Sequence, residues 1–196
     1  MLYLRNTNQL QSLSQLVNRG AAGEPPAPPI TGSLIPTGPG LYRTSYTGYF
    51  ADDPNWFDTA TPISGGPDVG VIELGFATGS GNFFSIEWEG YFKPLYTERY
   101  TFILESDDAS YLWMSGSATA SLMTTSSALI NNGGVHGIVL VTGSINLTSG
   151  SYVPMKIQFG EAGGGEILTM SFYSPSTPTA SNFTGYTLYN TSSNGF

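Results

Sequence analysis

The sequence predicts an all-β chain: an antiparallel β-sandwich over residues 40–196, preceded by an extended N-terminal arm, residues 1–39, that carries a short helix. Three observations carry this expectation. The composition favours turns and pleated surfaces, with 25 Gly, 13 Pro and 13% aromatic residues. From Leu41 onward, apolar and polar residues alternate in short runs. Turn signals separate these runs every eight to fifteen residues, and no long helical pattern intervenes, which argues against a parallel α/β sheet.

The elements follow in order. In the arm, Leu10, Leu13, Leu16 and Val17 recur at helical spacing, which predicts an amphipathic helix near 7–19. The stretch Gly20–Gly40 holds six prolines between Pro25 and Pro39 and favours extended or polyproline II chain, suited to lying along a neighbouring subunit. In "FFSIEWEGYF", Phe84, Ile86, Trp88 and Phe92 share one face. Ser85, Glu87 and Glu89 share the other, where solvation accounts for both carboxylates. "RYTFILES" sets Tyr100, Phe102 and Leu104 against Thr101, Ile103 and Glu105, and Ile103 points to burial on both faces. Further strands are expected at 110–114, 137–143, 152–159, 166–174 and 185–189.

Charge and residue types exclude several functions. Six Lys and Arg face 14 Asp and Glu, a net charge of −8, so a phosphate backbone is repelled and nucleic acid is not an expected partner. No apolar stretch is long enough to cross a bilayer, so no membrane insertion is expected. The opening "MLYLRNTNQLQSLSQL" is broken by polar residues and is no signal-peptide core, so synthesis in the cytosol without a signal peptide is expected. The chain has no cysteine, which removes thiol catalysis and thiolate metal sites. The lone histidine, His136, sits in a Gly-rich turn, and "GEAGGGE" lacks a phosphate-loop lysine. An enzyme is not expected.

The segment "TFILESDDASYLWM" is the main chemical signal. Asp107 and Asp108 are adjacent, so they make a poor acid/base pair to flank a glycosidic bond. They suit a cation better, because calcium collects hard oxygen ligands at about 2.3–2.6 Å. Both carboxylates reach one ion if the peptide between them is cis or strongly turned. A solvated turn is the competing reading.

The blocks "GLYRTSYTGYF", "FSIEWEGYFKP", "ERYTFILESDDASYLWMSG" and "LTSGSYVPMKIQFGEAGGGEILTMSFYSP" resemble the PA-fourteen domain over roughly residues 40–190. Within that family they are most similar to the lectin domains of yeast flocculins and epithelial adhesins, as is the closing "FTGYTLY". The resemblance implies a jelly-roll-type sandwich. It also implies calcium held by a cis-linked aspartate pair and ligating sugar hydroxyls directly. Matched residue by residue, Asp107 and Asp108 are that pair, Glu161 stands where the lectins usually carry asparagine, and Gly163 and Gly165 offer backbone carbonyls. The ligand site would comprise Asp107 and Asp108, with Tyr111 and Trp113 as candidate stacking rings against the alternative of core packing. Residues 115–136, which shape the sugar pocket in the relatives, have no clear match.

The expected function is a calcium-dependent, adhesin-like carbohydrate-binding module. It would be displayed on a virion or other extracellular particle, with glycans as partners and neighbouring subunits held through residues 1–39. The alternative is a purely structural minor capsid, decoration or fibre protein anchored by the same arm.

Overall fold

Alternating apolar side chains build two antiparallel sheets packed face to face. The computed structural model describes residues 36, 38–78, 82–183 and 187–191. The expected helix near 7–19 and most of the Pro-rich stretch lie outside the described residues. The strands are β1 (Gly38–Pro39), β2 (Leu41–Thr47), β3 (Pro62–Asp68), β4 (Glu73–Thr78), β5 (Phe84–Phe92), β6 (Glu98–Asp107) and β7 (Ala109–Met114). They continue with β8 (Ile130–Asn132), β9 (Val139–Leu147), β10 (Val153–Glu161), β11 (Gly165–Ser174), β12 (Thr177–Ser181) and β13 (Leu188–Asn190). No helix among the described residues is long and apolar enough to cross a membrane.

The first sheet has eight strands and runs β1-β13-β5-β10-β7-β8, with β2 and β3 added beside β5. The second has five and runs β12-β11-β6-β9, with β4 also on β11. The chain divides into two units, Met1–Ser33 and Leu34–Phe196. Gly38 and Pro39, assigned to the arm from composition, pair with Asn190 and Tyr189. Proline is tolerated there because β1 is an edge strand and needs no N–H on its open side.

Between the sheets lie Ile86, Trp88 and Phe92 of β5, Met155, Ile157 and Phe159 of β10, and Leu112 and Met114 of β7. Facing them are Tyr100, Phe102 and Leu104 of β6 with Leu168, Met170 and Phe172 of β11. These are the inward faces that the alternation predicts. Ile103, on the other face of β6, is only half-buried, because the outer face of the second sheet has no full cover there.

The first sheet differs. Its outer face carries a second apolar cluster of Tyr46, Phe50, Phe57, Ala109, Tyr111, Trp113, Ala118 and Met123. The segments after β2 and after β7 fold back to cover it. The sheet is therefore buried on both sides, which corrects two expectations. Glu87 is not on a solvated face: it is buried, accepts a hydrogen bond from Gln158 Nε2 at 2.7 Å and lies 3.6 Å from Lys156 Nζ. Burial pushes it up to about 7 against the opposing pull of Lys156. Tyr111 and Trp113 are also core, stacked on each other at 5.4 Å between ring centres.

Candidate metal centre

The site forms where the chain changes sheets. β6 belongs to the second sheet and β7 to the first, so Asp107 and Asp108 are the corner between them. The peptide joining them is cis. The return crossing lies at 162–164, between β10 in the first sheet and β11 in the second. Because β7 pairs with β10 and β6 with β11, the two corners are neighbours, with Ala109 opposite Gly160 and Asp107 opposite Ile167. Strand alternation does not apply at a corner. Carboxylates on both crossings meet there.

Asp107, Asp108 and Glu161 each offer an oxygen within 4.8 Å of the others. Asp107 is half-buried, while Asp108 and Glu161 are buried. Asp108 is held by two backbone donors: His136 N–H to Oδ1 at 2.8 Å and Ala162 N–H to Oδ2 at 2.9 Å. Its carbonyl accepts from Ser106 Oγ at 2.6 Å, and Ser106 is in turn fixed by Ser110 and by Asn132 Nδ2. Glu161 Oε1 accepts from Gly163 N–H at 2.7 Å, but Oε2 is buried with no hydrogen-bond partner. Gly163 has φ +146°, a conformation that glycine adopts freely. Burial, then the neighbouring carboxylates, push Glu161 up to about 7, and the same two causes raise Asp107.

This donor set fits calcium. Two oxygens on one ion at about 2.4 Å cannot be more than about 4.8 Å apart, and the three carboxylate oxygens all lie within that distance of one another. The donors are hard carboxylate oxygens, and the chain holds no cysteine. The orphaned Glu161 Oε2 is the atom a cation would satisfy.

The structure brings together Asp107, Asp108 and Glu161, with Gly163 and Gly165 on the adjoining turn and strand start. It does not bring Tyr111 and Trp113 to the surface. Tyr111 donates its hydroxyl to Asp52 Oδ1 at 2.8 Å and Trp113 Nε1–H donates to the Thr124 carbonyl, so a stacking role is replaced by core packing. Sequence reasoning missed the groups that frame the site. Asp52 also accepts from Gly134 N–H at 3.1 Å, tying residues 133–136 in place where His136 reaches Asp108. Asn82 Oδ1 accepts from Gly164 N–H at 3.2 Å. Tyr49 has a hydroxyl on which the charges of Asp108 and Glu161 bear. Only the "TGYF" of the opening block hinted at Tyr49, and it carried no role.

The GLEYA domain family model matches residues 84–174. No curated protein sequence matches the chain. The A domain of Epithelial Adhesin 6 from Candida glabrata, solved in complex with Galb1-3GlcNAc, superposes with a TM-score of 0.62 at 16% identity, covering 86% of this chain and 92% of that one. The PA14 sugar-binding domain of an RTX adhesin superposes with a TM-score of 0.63 at 14% identity, covering 78% and 98%. An anti-sigma factor domain-containing protein from Clostridium clariflavum gives 0.59 at 20% identity, covering 85% and 52%. The chain thus spans about half the length of that protein, and 48% of a second protein of the same description. The GLEYA match across residues 84–174 and the likeness in fold to PA14 domains agree with the family that the sequence blocks resemble.

Proposed function

We propose that this chain is a calcium-dependent carbohydrate-binding module and not an enzyme. The supporting observation is the convergence of Asp107, Asp108 and Glu161 on one point, with Glu161 Oε2 buried and unpartnered. These three carboxylates would hold the ion, and the carbonyls of Gly163 and Gly165 would add neutral oxygens. Bound calcium supplies open coordination positions to vicinal sugar hydroxyls. The sugar-bound adhesin domain and the sugar-binding PA14 domain of similar fold support the ligand class.

Isothermal titration calorimetry tests the ion and a glycan array tests the ligand. The wild-type chain binds calcium in one-to-one stoichiometry, and array binding appears in calcium and vanishes in EGTA. Asp108→Asn loses both. Array binding that persists in EGTA, or no heat on calcium addition, refutes the reading. Display on a virion or other particle through residues 1–39 is part of the same proposal and rests on the composition of that segment. Deleting residues 1–39 abolishes particle incorporation if the arm is the anchor; retained incorporation rejects it.

A further inference from the structure

Tyr49 carries a polar group that the fold does not use. Its ring packs edge-to-face on Phe50 at 5.6 Å, and its Cδ2 lies where a Cβ on Gly160 would come within 2.8 Å. Phenylalanine would make the same contacts. Yet the hydroxyl is buried and has no hydrogen-bond partner. Buried polar atoms of native folds nearly always have one, so an orphan points to a group that completes it. The partner must be an acceptor. Burial, then the charges of Asp52, Asp108 and Glu161, push the phenol up to about 12, so it keeps its proton and presents it.

The phenol is thus a donor without an acceptor and Glu161 Oε2 an acceptor without a donor; the Tyr49 ring packs over Gly160, the residue before Glu161, and the two orphans do not satisfy each other. The cation assigned above takes the carboxylate oxygen and leaves the phenol unmatched. A metal ion cannot accept a hydrogen bond. A hydroxyl oxygen of a polyol can.

We infer that Tyr49 is a ligand-contacting residue whose phenol donates a hydrogen bond to a hydroxyl oxygen of a saccharide seated over Asp107, Asp108 and Glu161. The inference rests on the calcium-dependent reading and adds a residue to it. Tyr49 selects for an oxygen at one position of the sugar, whereas the ion takes any suitable vicinal pair.

The test compares the full chain with Tyr49→Phe. Calcium alone is titrated by calorimetry, and binding is then measured in saturating calcium to a panel of saccharides ending in galactose, glucose, mannose, fucose or N-acetylglucosamine. The expected result is calcium affinity within twofold of wild type, an undiminished melting temperature, and three- to tenfold weaker binding of whichever saccharide the wild type selects. The deoxy form of that saccharide, lacking the contacted hydroxyl, should bind wild type and variant equally. Equal binding of the parent sugar by both proteins overturns the inference alone. A calcium affinity that falls in step with sugar binding also overturns it, by placing Tyr49 at the ion. No saccharide bound by wild type in calcium refutes the reading beneath it, and this inference with it.

Discussion

Glu161→Gln separates the energetics of the carboxylate cluster from those of the fold. The substitution keeps an acceptor for Gly163 N–H and changes no volume, but it removes one of three charges whose oxygens lie within 4.8 Å of one another. At an effective dielectric of about 20, two unit charges at that distance repel by roughly 3.5 kcal/mol. Water reaching half-exposed Asp107 screens part of this, leaving about 2 kcal/mol of relief. In EGTA at pH 8, where Glu161 is ionised, the variant should therefore be more stable than wild type. For a domain of this size that is about 4–8 °C in melting temperature. Calcium acts in the opposite sense. At a thousandfold excess over Kd it stabilises wild type by about 4.1 kcal/mol, or about 8–16 °C, and the variant by much less. Differential scanning calorimetry in the two buffers reads both effects. A variant less stable than wild type in EGTA would show that the cluster is already neutralised without an ion. An equal calcium shift in both proteins would remove Glu161 from the site.

Two further changes probe the support around the site. Gly160→Ala places a Cβ 2.5 Å from Phe50 Cδ1, and Phe50 is fully buried, so overpacking should cost about 1–3 kcal/mol by urea denaturation and weaken saccharide binding as Tyr49 is displaced; wild-type stability would mean that Phe50 repacks freely. Burial holds Glu87 above its unfolded value of 4.5, at about 7, so the native state binds the extra proton between those values. Its contribution to stability is then greatest below pH 4.5 and declines as pH rises to 7, by at most about 1.4 kcal/mol per pH unit. Glu87→Gln should flatten that decline in calorimetric scans from pH 5 to 8, and an unchanged slope counts against a neutral Glu87 in the fold.

The inward faces of β5 and β6 were legible because alternation reports a strand with one wet side. It failed where the first sheet gained a second cover. Glu87 and Glu89 looked alike as polar-face residues, but only Glu87 lies deep enough, under residues 46–60, to lose its water. "SYLWM" did contain the signal: four apolar residues without alternation mark a strand buried on both faces, and all six residues of β7 are buried. For Tyr111 and Trp113 that signal favours core packing, the alternative weighed against a stacking role, and both are buried. Asp52, His136 and Tyr49 were not legible. Their roles come from contacts across long stretches of chain, such as Asp52 with Tyr111 and Gly134, that no local pattern encodes.

The aspartate pair was legible by resemblance, and topology supplies its physical reason. A strand alternates its side chains only while it stays in one sheet. At Asp107–Asp108 the chain leaves the second sheet for the first, and at 162–164 it returns. The ladders β7–β10 and β6–β11 then lock these crossings side by side. The corner is built by hydrogen bonds and by the apolar faces beneath it, none of which requires a charge at 107, 108 or 161. Apart from the backbone bonds to Asp108 and to Glu161 Oε1, the carboxylates contribute repulsion to the fold. Above pH 7, where Glu161 is ionised, the fold therefore holds three anions together at its own expense. That is the arrangement expected of a preformed cation site, and it is why neutralising Glu161 should stabilise the protein while impairing its function.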